Sequence, residues 1–105
     1  MRITDTMVNG WGTCHGGFVA ALADSAFAFA CNTHDQVTVA AGFDIAFLAP
    51  AHLGDLLVAE GREVIRRGRS GLYDVTVRRS GADDAVVAEF RGRSRSLGRP
   101  VLPDS

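Results

Sequence analysis

The chain has 105 residues, enough for one domain and too few for two. Hydrophobic residues make up 47% and charged residues 22%, the balance of a globular chain with a core rather than a disordered one. The formal net charge of -1 gives no overall electrostatic footprint for nucleic acid or for a membrane surface.

Residues 2–8 lean toward a short β-strand. A glycine-rich loop follows, Asn9-Gly10-Trp11-Gly12-Thr13-Cys14-His15. The run from Gly16 to Cys31 reads as a helix that is apolar on nearly every face, and hence as one buried all round. It is too short, and carries Asp24 at its middle, to span a bilayer. Cys31-Asn32-Thr33-His34-Asp35 is a polar stop. Residues 36–48 alternate, with Val37, Val39, Phe43, Ile45 and Phe47 on one face of a long strand. Gly42 inside that strand signals a bulge or a close backbone approach. Pro50 ends it.

A second long strand is expected over 55–66, a hairpin turn at Gly68-Arg69-Ser70-Gly71, a third strand over 72–79 and a last over 85–97. Residues 98–105 read as a frayed tail of a single domain covering 1–105. Tight turns make neighbouring strands antiparallel. One long helix and one antiparallel sheet pack best with the sheet curled around the helix, an α+β arrangement. The open sheet edge at 36–48 is expected to pair with a second copy.

The two cysteines, Cys14 and Cys31, stand at opposite ends of the helix, about 24 Å apart and beyond a disulfide's reach. With no leader pattern at the start, they fit a reducing cytoplasm and a soluble protein. Neither Cys14-His15 nor Cys31-x-x-His34 makes a metal set, because the pairs lie at opposite helix ends. Gly10-x-Gly12-x-x-x-Gly16 misses the dinucleotide spacing, and no repeated βαβ pattern is present.

Asp24 is the only charged side chain between His15 and His34. A carboxylate on an apolar helix is costly unless something pairs it or uses it. Two turns upstream, the glycine-rich helix start offers free amides and the positive end of the helix dipole. An acid and an amide cradle on one helix suit a reaction in which an oxyanion develops.

Three stretches carry a family resemblance: Asn9-Gly10-x-Gly12-Thr13-Cys14-His15-Gly16-Gly17, Leu22-Ala23-Asp24-Ser25-Ala26-Phe27-Ala28, and Asp44-Ile45-x-Phe47-Leu48-x-Pro50-Ala51. Together they resemble the hotdog-fold acyl-CoA thioesterases, and within them the PaaI type of phenylacetic acid degradation. Arg69-Ser70-Gly71-Leu72-Tyr73-Asp74-Val75 and Ala88-Glu89-Phe90-Arg91-Gly92-Arg93-Ser94-Arg95 fit the same pattern, so it covers residues 3–97 in collinear order.

The resemblance implies one long central helix wrapped by a five- to six-stranded antiparallel sheet, and an active site at a dimer interface, with two dimers packing into a homotetramer. It implies Asp24 as general base or nucleophile and the Gly16 amide as the group polarising the thioester carbonyl, with Gly17 beside it. Asn9 and His15 would stand near the attacking water. The substrate would be an aryl-acyl-CoA such as a hydroxyphenylacetyl-CoA. Coenzyme A would be part of the substrate, with no separate cofactor, metal, nucleic acid or membrane partner.

The residues leave other roles open. Asp24 could be held by hydrogen bonds or by an interface, Asn9 could organise a turn, and His15 could be a structural partner. The arginines flanking Gly68 suit either a solvated hairpin or coenzyme A phosphates, and Arg66, Arg67 and Arg69 are the candidates for the latter. A non-catalytic acyl-CoA-binding protein on the same fold is the alternative from another class. Two features depart from the pattern: Trp11 stands where a small polar residue or histidine is expected, and relatives carry a further segment ahead of the first strand.

Overall fold

The computed structural model describes residues 1–10, 12, 14–32, 38–81 and 83–97. Trp11, Thr13, Ala82, the tail at 98–105 and residues 33–37, which hold most of the expected polar stop and the first two residues of the expected 36–48 strand, lie outside the described residues. The elements are a 3₁₀ turn over Asp5–Met7, helix α1 over Gly16–Cys31, and strands β1 (Thr38–Phe47), β2 (Leu56–Arg67), β3 (Ser70–Ser80) and β4 (Val86–Ser96).

α1 is rich in Ala and free of Pro, so local propensity supports it. It ends where Asn32 donates both its backbone N–H (3.2 Å) and its side-chain amide (2.9 Å) to the Ala28 carbonyl. Val19, Ala23, Phe27 and Cys31, four residues apart, form its buried face. The expectation of a helix buried all round is corrected here. Phe18, Ala21, Asp24, Ser25, Ala28 and Phe29 are exposed, because a single sheet covers only one side of the helix.

The sheet order is β1-β4-β3-β2, with every neighbouring pair antiparallel. The expected five to six strands are four, and residues 2–8 are not a strand. They form the 3₁₀ turn, tied down by single bridges from Arg2 to Leu56 and from Val8 to Cys14. The hairpin at Gly68-Arg69 stands as expected, with Gly68 at φ +60°, where glycine is favoured.

The inner face of the sheet carries Tyr73, Val75, Val77, Ala88 and Phe90, all buried against α1. Phe27 from the helix packs between Tyr73 (5.8 Å between ring centroids) and Phe90 (5.5 Å). Gly92 lets that ring in: a Cβ there would meet it at 2.7 Å. Phe43 stacks on Phe90 at 4.8 Å.

β1 bulges between Ala40 and Gly42, as Gly42 suggested. The bulge corrects one detail. Phe43 pairs with Gly92 and Phe47 with Ala88 on the inner side, while Val39 pairs with Arg95 and so falls on the outer side. The extra residue breaks the two-residue alternation of the strand.

On the outer face, Arg91 grips Asp74 with two hydrogen bonds (2.7 and 2.9 Å). Arg62 donates to Thr76 (3.0 Å), which donates to Glu89 (2.8 Å). The Arg91 guanidinium holds the Asp74 carboxyl below the usual carboxylate range, against the opposing effect of burial. Among the described residues no helix is long and apolar enough to cross a membrane.

Candidate active site at the helix start

The loop entering α1 is pinned from two sides. The His15 N–H donates to Met7 O (2.9 Å) and the Cys14 N–H to Ala51 O (2.6 Å). The Leu53 N–H donates to Gly12 O (3.0 Å), and the Gly12 N–H to Asn9 O (3.0 Å). These bonds fix the helix start against the connection between β1 and β2. His15 takes an extended backbone (φ -62°, ψ 136°) just before the helix, with no side-chain cap. Its carbonyl accepts from the Phe18 N–H (3.1 Å). Asn9 and His15 are both exposed beside this entry.

Gly16 opens the helix. A Cβ there would sit 3.1 Å from the Phe47 ring, so glycine keeps the end of β1 close to the helix start. Among the described residues nothing is seen to accept from the Gly16 amide. A free amide at the positive end of a sixteen-residue helix is a donor for an oxyanion.

The amide borders a cleft of about 320 Å³ lined by Gly16, Val19, Phe47, Leu48, Pro50 and Val87, together with Cys14, Ala49 and Ala51. An apolar cleft with one convergent polar group fits an acyl chain held by its carbonyl. Sequence reasoning did not single out this wall. The one available signal was Phe47-Leu48 within the Asp44–Ala51 stretch. Val19 and Val87 read only as core.

Asp24 is exposed, eight residues after Gly16 on the same helix. At 1.5 Å per residue that places it about 12 Å from the helix start. One chain therefore does not bring the amide and the carboxylate to a common atom. Gly17, Ala21, Asp24 and Ala28 share one uncovered stripe of α1. Phe18 is exposed on the same helix, and Phe43, Phe47 and Leu48 are exposed on and just after β1, the edge strand of the sheet.

Cys14 and Cys31 are buried, and burial pushes both thiols up; for Cys31 the charge of Asp24 adds to the effect. Neither has the lowered thiol that a nucleophile needs. Among the described residues no group of three His, Cys, Asp or Glu side chains is placed to hold a metal.

The three arginines of the hairpin separate. Arg67 lines a cleft on the outer sheet face. Arg66 pairs in register with Gly71 and acts electrostatically on Tyr73, toward the helix side. Arg69 sits on the turn, where its carbonyl accepts from the Ser96 N–H (2.7 Å). A larger cleft, about 510 Å³, lies at the far end of α1 around Ala26, Phe29, Glu63 and Tyr73, away from the amide cradle.

The pattern of the thioesterase superfamily matches residues 11–86. The chain is 39% identical over all 105 residues to the acyl-coenzyme A thioesterase PaaI of Escherichia coli, and spans 74% of that protein. The solved structure of E. coli PaaI, from the phenylacetic acid degradation operon, superposes with a TM-score of 0.90 at 37% identity, covering 97% of this chain and 72% of that one. The smu.793 protein of Streptococcus mutans, solved bound to acetyl CoA, is similar at 25% identity and a TM-score of 0.87, over 95% of this chain and 79% of that one. Helix, sheet order and sequence agree on one lineage: the chain has the hotdog fold and belongs to the thioesterase superfamily, whose members hydrolyse thioester bonds.

Proposed function

We propose that the protein is a cytoplasmic acyl-CoA thioesterase whose active site is completed by a second copy of the chain. The observation that carries this reading is the spacing of Gly16 and Asp24 on one helix. Gly16 lines an apolar cleft, and Asp24 stands about 12 Å further along α1 on its uncovered side. A partner related by a two-fold axis, its β1 edge beside this one, brings its own Asp24 toward the cleft.

In that arrangement the acyl group lies against Val19, Phe47 and Val87 and its carbonyl accepts from the Gly16 amide, with Gly17 beside it. Asp24 of the partner copy takes a proton from water as the water attacks, or itself attacks as nucleophile. The amide stabilises the oxyanion where charge develops, and coenzyme A leaves as a thiolate that needs little acid assistance. Asn9 and His15, exposed at the entry, are the polar groups available to hold the water. Arg66, Arg67 and Arg69 are the hairpin cations available to coenzyme A phosphates. We read the substrate as an aryl-acyl thioester such as a hydroxyphenylacetyl-CoA and the assembly as a tetramer built from two dimers; the likeness to an acyl-coenzyme A thioesterase from a phenylacetic acid degradation operon supports the acyl-CoA class.

The test uses two variants. Asp24→Asn is expected to keep fold and assembly and lower kcat on the order of a hundredfold or more. Gly16→Pro deletes the amide at the first helical position, where the helix backbone accepts proline, and also presses on the Phe47 ring; it is expected to lose activity similarly, with Gly16→Ala, which keeps the amide and adds the same Cβ, as the steric control. Co-refolded in equal amounts, the two inactive chains are expected to recover about a quarter of wild-type activity, since random pairing makes half the dimers mixed, each with one intact site. No recovery would show that amide and acid act within one chain, and full activity of Asp24→Asn would remove the acid from the mechanism.

A further inference from the structure

We propose that Arg79, at the end of β3, is a positioning residue for the thioester chemistry: its guanidinium holds the connection between β1 and β2 against which the helix start and its Gly16 amide are set. The proposal rests on the thioesterase reading given above and adds to it a residue that does not line the cleft.

Two-residue alternation along β3 turns Tyr73, Val75 and Val77 to the inner face, and Arg79 is next in that series. It pairs in register with Leu57, a core residue that is 0% exposed. A cation at such a position is costly unless it is paired and hydrogen-bonded. The Arg79 side chain is only 20% exposed, and its guanidinium is well supplied. Nη1 donates to the Pro50 carbonyl (3.0 Å) and Nη2 to Asp83 (2.8 Å), while the Asp55 carboxylate lies 3.9 Å from Nη1.

A pair with Asp83 alone, itself 59% exposed, needs an arginine at the surface and not one on the inner face. The inward position is explained by Pro50. Proline has no N–H, so its carbonyl is the one backbone group by which it can be tied, and Arg79 is the donor that meets it.

The rest of this connection is bonded toward the same end of the molecule. The Leu48 and Ala49 N–H groups donate to Val87 O (2.8 and 3.2 Å), and Val87 is the extra residue left by the register shift between β3 and β4. The His52 N–H donates to the Asp55 carboxylate (2.8 Å) that faces Arg79. Ala51 O accepts from the Cys14 N–H, and the Leu53 N–H donates to Gly12 O, as described above.

From Arg79 to the amide the path is short. It runs from Nη1 to Pro50 O, along one residue to Ala51, from Ala51 O to the Cys14 N–H, and along two residues to Gly16. Loss of the guanidinium frees Pro50 and Ala51, and with them the support of Cys14. A donor displaced by about 1 Å from the developing oxyanion can cost on the order of a hundredfold in rate.

Arg79→Met tests the proposal, because it keeps a long apolar side chain on the inner face and removes the donors. Apolar replacement of a paired, largely buried charge is often neutral or stabilising, so the melting temperature is expected to hold. The kcat for acyl-CoA is expected to fall about tenfold or more, with KM changing less than kcat. Exchange of the Cys14 and Leu53 amide hydrogens, read by NMR, is expected to speed up about tenfold or more, while the Val75 and Phe90 amides of the sheet keep their wild-type rates. Arg78→Met, the same loss of charge one residue earlier, is expected to change none of these.

A wild-type kcat in folded Arg79→Met, unchanged Cys14 exchange, or a KM that rises while kcat holds would each overturn the proposal. A lowered melting temperature with all four amides faster would assign Arg79 a merely structural role and overturn it too. Where the Met variant does not fold, Arg79→Lys decides. It keeps the charge beside Asp55 and Asp83, but one ammonium nitrogen does not replace two guanidinium nitrogens directed at Pro50 O and Asp83. A lower kcat together with faster Cys14 exchange is expected, and a wild-type value of either would overturn the proposal. Failure of the thioesterase reading shows differently, as a wild-type protein that turns over no acyl-CoA, and would remove this proposal with it.

Discussion

Helix α1 turns Val19, Ala23, Phe27 and Cys31 toward the sheet and Phe18, Ala21, Asp24, Ser25, Ala28 and Phe29 away from it. Apart from Asp24 and Ser25 the two sets are chemically alike. Alanines and phenylalanines occur in both, yet Phe27 is 1% exposed and Phe29 79%. Hydrophobicity alone therefore does not tell which side meets this chain's own sheet. What separates the faces is shape. The inner side has a glycine, Gly92, cut to receive the Phe27 ring, and no glycine among the described residues is cut to receive Phe29. The uncovered side also carries the one acid of the helix, so a residue that looks like a core position lies on the surface of the chain, the surface that the proposed assembly shares.

Three measurements break or sharpen this contrast. The largest effect is expected for Phe27→Ala, which empties the space between Tyr73 and Phe90 and costs about 3–5 kcal/mol in chemical unfolding. A cost below about 1 kcal/mol would mean that the ring packing does not hold the helix to the sheet.

The second concerns Tyr73, the only tyrosine, which packs against Phe27 and donates its hydroxyl to Glu63 at 3.1 Å. Burial, then the hydrogen bond and charge of Glu63, push its phenol up to about 12 from the ordinary value of 10.0. Below pH 10 folded and unfolded chains both keep the proton, and the contribution to stability is whole. Between pH 10 and about 12 the unfolded chain loses a proton that the folded chain retains, so stability falls as pH rises through that window. Denaturation curves from pH 9 to 12 are expected to show this fall, and Tyr73→Phe is expected to flatten it. An equal slope in the variant would assign the alkaline loss to other groups.

The smallest effect is expected for Phe29→Ala. With its ring in solvent, truncation is expected to change the stability of a single chain by less than about 0.5 kcal/mol. In the proposed assembly the same change is expected to raise the dissociation constant measured by sedimentation. A loss of several kcal/mol in the isolated chain would place Phe29 in a core and erase the difference between the faces.

Much of the fold was legible because its signals are local. The Ala-rich run after Gly16-Gly17, the Gly68-Arg69 turn and the Gly42 bulge each declare themselves through backbone preference. Residues 2–8 misled for the opposite reason. Their β-leaning composition is overridden by tertiary bonds, with the Ile3 N–H donating to Asp55 O (2.8 Å) and the Leu57 N–H to Met1 O (2.7 Å), while Asp5–Met7 coil into a turn. At the candidate site, Asp24 and Gly16 stood out as chemical exceptions on the helix. Phe47, Val19 and Val87 did not, since an apolar wall of a cleft and an apolar core share one alphabet. The grouping of Arg67 with Arg93 and Arg95 around the outer cleft was invisible as well. It depends on the β2–β3 and β3–β4 registers, which no local pattern states, and it leaves Arg66 and Arg69 elsewhere.

The bulge between Ala40 and Gly42 makes β1 two strands in phase opposition, joined at one residue. Phe43, Ile45 and Phe47 keep time with the core, and Val39 keeps time with the surface. Removal of Ala41 alone, a single-codon deletion, would restore continuous alternation and leave the remaining pairs in place, with Val39 opposite Arg95 on the outer side and Thr38 and Ala40 opposite Ser96 and Ser94 on the inner side. The extra residue is thus a phase corrector: it lets a sequence whose uninterrupted alternation would turn Val39 inward present it on the outer side, while the half that borders the cleft stays fixed.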